Sequence, residues 1–130
     1  MYHATTHNIR ISVRVAYLED RSAPADSHFV WAYHVRIENL GGETAQLISR
    51  HWRITDAKGE VHEVRGPGVV GEQPTLEPGD FFEYTSGTPL ATPSGIMQGS
   101  YQMENERGET FDVQIPPFSL DSPYQPVRLN

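Results

Sequence analysis

The sequence predicts an all-β protein, an antiparallel β-sandwich of seven to eight strands. Apolar residues recur at every second position in several stretches. Turn-forming clusters interrupt them about every 8–15 residues. No stretch sustains the 3.6-residue period of an amphipathic helix, and many short alternating strands with regular turns define a sandwich.

Residues 8–18, NIRISVRVAYL, open the series, with Ile9, Ile11, Val13, Val15 and Tyr17 on one face and Arg10, Ser12 and Arg14 on the other. A polar loop, EDRSAPADS, leads to residues 28–39, where Phe29, Trp31, Tyr33, Val35 and Ile37 alternate with Val30, Ala32, His34 and Arg36. After the LGG turn at 40–42, residues 45–56 are read with Ile48, Trp52 and Ile54 inward. Leu47, His51 and Arg53 then face outward, which leaves Arg50 on the apolar side. DAKG at 56–59 is a hairpin turn with Gly59 suited to positive φ, and 60–64 is a short returning strand. Pro78-Gly79 makes a tight corner before a strand at 81–86. GIMQGSYQME at 95–104 follows, then the turn NERG and a last strand at 109–115. The whole of 1–130 reads as one domain, with a core of about 5–120 and a Pro-rich tail at 121–130.

A net charge of −7, with nine Arg and one Lys scattered along the chain, argues against a nucleic-acid partner. The absence of Cys excludes disulfides and thiolate chemistry. No stretch approaches the ~20 apolar residues of a membrane span, and the start lacks the basic and apolar regions of a signal peptide; the expected location is cytoplasmic, with no membrane partner.

The stretch RGPGVVGEQP contains Gly66, Gly68 and Gly71 at the spacing G-x-G-x-x-G. In a dinucleotide fold that spacing joins a strand to a helix whose N-terminus holds the phosphate. Here Pro74 and Pro78 forbid the helix. A weaker form needs no helix, because successive backbone N–H groups can cradle an anion. Arg65, Gly66, Gly68 and Gly71 are therefore a candidate anion or pyrophosphate site, with Glu63 and Glu72 opposing it. On the other reading the glycines supply positive φ to a crossing loop, in which one of Val69 and Val70 tucks against the sandwich. No G-x-S-x-G elbow or other nucleophile arrangement is present, so no catalytic residue, cofactor or enzymatic activity is expected. His51 and His62 fall on neighbouring strands and are weighed as metal ligands, but no third ligand has a recognisable spacing, and no metal site is assigned.

The motifs SRHW, GPGVVGEQP, L-x-P-G and TP-x-G-x-M-x-G-x-Y, with AYHVRIENLG before them and FDVQIPPFSL after, resemble the bacterial ApaG proteins over about residues 5–120. The resemblance implies a fibronectin type III-like sandwich and a link to cobalt and magnesium handling. Related domains inside eukaryotic F-box proteins and a DNA-polymerase-associated protein look like partner-binding modules. By that analogy the expected function is a non-catalytic protein-interaction module with a protein partner. A homodimer is compatible with free sheet edges. Trp31, Val35, Trp52 and Tyr101 are expected in the core, and mid-strand Gly99 is expected beneath an aromatic ring.

Overall fold

Alternating β-branched and aromatic residues build two antiparallel sheets that face each other. The computed structural model describes residues 1–124. Its strands are β1 (Tyr2–Thr6), β2 (Ile9–Tyr17), β3 (Phe29–Asn39), β4 (Ala45–Asp56), β5 (Val61–Pro67), β6 (Thr75–Leu76), β7 (Phe81–Leu90), β8 (Gly95–Asn105) and β9 (Thr110–Leu120). One sheet has the order β1-β2-β3-β7, and the other β5-β4-β8-β9 with β6 paired to β4. This is the expected sandwich, with two more elements than the seven strands placed in the sequence. β1 carries no apolar alternation to reveal it. It is folded back by His7 and Asn8, both at positive φ, a two-residue turn whose twist matches the strands it joins. β6 is two residues long and held by its pairing to Ala45 and Gln46.

β3 alternates without a break: Phe29, Trp31, Tyr33, Val35, Ile37 and Asn39 are all buried. β4 does not. Leu47 pairs with Met103 and Ser49 with the adjacent Gln102, so Ile48 is an extra residue, a β-bulge. One inserted residue reverses which side chains face inward. Leu47 is buried before the bulge, and Trp52 and Ile54 are buried after it. The expectation that Leu47 faces outward while Ile48 joins Trp52 is thus corrected: a strict alternation carried through the strand misses the phase change. β9 repeats the device. Met97 pairs with Phe118 and Gly99 with Ile115, so Pro116 and Pro117 together oppose the single residue Gln98, one residue more on β9. Proline lacks the ladder N–H and is tolerated at bulges. The last strand therefore does not stop at 115 but runs to Leu120, burying Val113 and Ile115 before the bulge and Phe118 and Leu120 after it.

The aromatic centre joins both sheets. The Trp52 ring packs edge-on against Tyr33, Tyr101 and Phe118 at centroid distances of 5.3, 6.3 and 6.0 Å. Trp31 is buried as well, and its Nε1 donates to the Asp121 carbonyl at 2.7 Å, tying down the chain after β9. The described part of the tail continues to dock: the Tyr124 ring meets Tyr17 edge-on and Phe29 at a tilt. Pro126 and the rest of 125–130 lie outside the described residues. Gly99 lies opposite Trp52. A Cβ there would meet the His51 carbonyl oxygen at 2.2 Å and Trp52 Cε3 at 3.1 Å. The ring is where the sequence placed it, but the backbone oxygen is the closer obstacle.

The two expected hairpin turns share one construction. Gly59 and Gly108 have positive φ, and the preceding Asp56 and Asn105 side chains each accept two backbone N–H groups, those of Lys58 and Glu60 and those of Arg107 and Glu109. Among the described residues no helix is long and apolar enough to cross a membrane.

Trp52→Ala removes a ring held by three aromatic neighbours and is expected to cost about 3–5 kcal/mol in denaturant unfolding. Gly99→Ala, which forces a carbonyl to move, is expected to lower the melting temperature although it adds only one methyl group; an unchanged melt would contradict the close approach.

Candidate functional site

The glycine loop is organised from inside the sheet. Because Ile48 bulges, Arg50 turns inward on β4, opposite Gly66 of β5. Its guanidinium lies over Gly66, where any Cβ would come within 3.0–3.1 Å of it. Its Nη1 donates to the carbonyls of Pro67 and Gly68 at 3.0 and 2.9 Å. The Ile48 carbonyl accepts from Gly68 N–H and from Gln73 Nε2, each at 2.9 Å. Val69 and Glu72 exchange both backbone hydrogen bonds across a two-residue turn, Val70-Gly71, with φ of 43° and 82°. Val69 is buried and Val70 is exposed. Gly68 has φ 61°, and a Cβ there would strike the Glu72 carbonyl oxygen at 2.2 Å.

The sequence placed a strand at 60–64 and a crossing loop after it. The strand runs from Val61 through Pro67, so Arg65 and Gly66 belong to β5, while Gly68 and Gly71 shape the turn beyond it. These four residues adjoin but play separate parts. Arg65 is exposed and lies 3.9 Å from Glu63. The N–H groups of Gly68, Val69 and Glu72 are bonded to protein acceptors, and the carbonyls of Pro67 and Gly68 face the Arg50 cation. Val69 is the valine that packs inward. Arg50, the residue on which the loop closes, had a sequence signal in its place among apolar neighbours.

Arg50 also borders a layer of hydroxyls between the sheets. Tyr84 and Tyr101 share a hydrogen bond, and Tyr33 bonds Ser86. Burial pushes all three tyrosines above the ordinary phenol range, against the lowering effect of Arg50.

His51 and His62 do lie on neighbouring strands but do not converge. His51 pairs with Arg65 and His62 with Ile54, so the two imidazoles sit on opposite faces of the sheet. His51 approaches Glu63 at 3.6 Å, and His62 approaches the buried Asp56 at 3.9 Å. A different donor set forms at the hairpin end: Asp56, Glu60 and His62 each bring one ligand atom within 4.8 Å of the others. At the far end of the sandwich, a polar cleft of about 390 Å³ is lined by His7, Asn39, Glu43 and Arg107. Its charged groups satisfy one another, since Arg107 bonds both Glu43 and Glu109.

The sheet edges differ. β1 and β9 close on each other: Thr6 Oγ1 accepts from Gln114 N–H at 3.2 Å, and Tyr2 OH accepts from Ser119 N–H at 3.4 Å. β7 carries the exposed Phe81 at its start, covered by the Arg36 guanidinium at 3.9 Å. Arg36 and His34 also flank Glu83, and the hydrogen bond from His34 is the main cause of its lowered carboxyl pKa. β5 has β4 on one side and no strand on the other among the described residues, with Val61 43% and Val64 41% exposed.

A β-sandwich with an open edge strand, a tied glycine turn and a half-buried arginine at its base is the class of domain this geometry defines. The ApaG domain model matches residues 19–105. The chain belongs to the ApaG family. It is 64% identical to Protein ApaG of Paramagnetospirillum magneticum and 63% identical to Protein ApaG of Rhodospirillum centenum, over the full length of both partners in each case. The crystal structure of an ApaA protein from Bordetella pertussis is similar with a TM-score of 0.87 and 49% identity, covering 93% of this chain and 98% of that one.

Val70→Asn is expected to raise stability by about 1 kcal/mol, because a left-handed β-branched residue is strained and Asn-Gly suits this turn. Its side chain is 56% exposed, so little packing is lost. Gly68→Ala is expected to lower the melting temperature markedly, through both its φ and the Glu72 oxygen. The buried tyrosines set an alkaline limit. The folded state keeps phenol protons that the unfolded chain releases above about pH 10, so stability is constant below that pH and falls above it. Phenolate absorbance of Tyr33, Tyr84 and Tyr101 is expected to appear only together with unfolding.

Proposed function

We propose that this protein is a non-catalytic interaction module that engages a protein partner through β5. The observation that carries this reading is the open edge itself. Antiparallel pairing with β4 bonds Asp56 to Glu60 and Ile48 to Gly68, so even-numbered residues of β5 direct their backbone groups toward β4. The N–H and C=O groups of Val61, Glu63 and Arg65 then point outward, available for strand addition. Apolar side chains stand beside them, and Val70 adds another at the tip of the neighbouring turn. Strain retained at an exposed apolar position is the kind of feature that function maintains. The test is cross-linking in the native bacterium followed by mass spectrometry. Cross-links from β5 and the 68–71 turn to a reproducible partner are expected; cross-links confined to other faces would overturn the reading.

A second reading keeps the family's link to cobalt and magnesium. Asp56, Glu60 and His62 supply two carboxylates and an imidazole, a mixed set that suits cobalt better than magnesium, which prefers oxygen and retained water. Asp56 Oδ1 is already occupied by the turn, which leaves Oδ2 as its donor. Titration with Co²⁺ watched by NMR is expected to shift these three residues, and His62→Ala to remove the effect.

A further inference from the structure

We infer that the partner β5 fits is a second copy of itself: two chains pair their β5 strands antiparallel about a two-fold axis through Val64, joining two sheets into one. This rests on the reading of β5 as the docking edge and names its occupant.

The argument begins with register. Strand addition requires outward-pointing groups to meet outward-pointing groups, and on β5 these belong to Val61, Glu63 and Arg65. In a symmetric pairing, one residue therefore meets its own copy at the axis. With Val64 there, every pair is complementary. Val64 meets Val64 in a non-hydrogen-bonded pair, where side chains come closest. Glu63 and Arg65 meet in two symmetric acid–base pairs and carry four backbone hydrogen bonds. His62 faces Gly66, a large residue against none, and Val61 faces Pro67. The two exposed valines of β5 itself, Val61 at 43% and Val64 at 41%, are paired across the seam in this register. An axis at Glu63 would set Glu against Glu, and an axis at Arg65 would set Arg against Arg, both unfavourable directly across a ladder.

Among the described strands no other edge has this property. β1 (YHATT) has no acid, and β7 and β9 carry only Glu83 and Asp112 as charged residues. β1 and β9 are moreover turned toward each other by the Thr6 and Tyr2 bonds. On β5 the charges that would repel a random strand attract a copy in a single register. This is how an exposed edge avoids indiscriminate pairing while remaining usable.

Sedimentation equilibrium of the full chain tests the pairing with two exposed substitutions. Glu63→Arg gives a strand with two cations, and Arg65→Glu gives one with two anions. Wild type is expected to show a concentration-dependent dimer. Each single variant is expected to raise the dissociation constant at least about tenfold, with an unchanged melting curve at low concentration confirming that it folds. An equimolar mixture of the two variants, and the double variant alone, are both expected to restore dimers. Wild type that stays monomeric to millimolar concentration overturns the proposal. So does a mixture that does not associate, or single variants that dimerise as wild type does. A monomer that still cross-links through β5 to a different protein overturns self-pairing and leaves the interaction reading standing.

Discussion

One extra residue, Ile48, sets the terms for this sandwich. A continuous alternation through β4 would bury one half of the strand and expose the other, because the residues with apolar side chains change parity between Leu47 and Trp52. The bulge lets both halves face the core. It also brings Arg50 inward. A half-buried guanidinium beside the core must find acceptors, since a partly desolvated charge left unpaired is costly. It finds them in the carbonyls of Pro67 and Gly68. The glycine turn is therefore shaped from within, by a cation that needs carbonyl oxygens.

That requirement explains the composition of the loop. Gly66 leaves space for the guanidinium, Gly68 takes a left-handed conformation where a side chain would strike Glu72, and Gly71 closes the turn. The N–H groups of Gly68, Val69 and Glu72 are bonded within the loop or to Ile48. The same arrangement holds β5 in place by its inner side and end, leaving its outer side open. The order of dependence thus runs from the bulge to the arginine, from the arginine to the loop, and from the loop to the edge.

The edges show how a small sandwich distributes risk. Exposed backbone groups invite association, and proteins limit this by covering, charging or shortening such strands. Here β1 and β9 cover each other through side-chain hydroxyls, and β7 carries Arg36 across its exposed ring. β5 has only charge as its protection, with Glu63 and Arg65 two residues apart on one face. Charge of both signs discriminates among partners instead of repelling them all.

Period-two patterning alone determined the fold class, the unbroken faces of β2 and β3, and the burial of Trp31, Val35, Trp52 and Tyr101, because a two-residue repeat with a large apolar content has only one way to cover itself. The turns at Gly59, Gly79 and Gly108 were equally legible, since positive φ is a local demand. The position of Arg50 among apolar neighbours was visible as an anomaly without its reason. The bulges at Ile48 and Pro116-Pro117 were decided only in three dimensions, because each depends on the register of a strand distant in sequence, Met103 or Phe118, and no local signal fixes that pairing. The same holds for the separation of His51 from His62. Their spacing allows either face, and it is the register of β5 against β4 that sends one imidazole outward and the other toward Asp56.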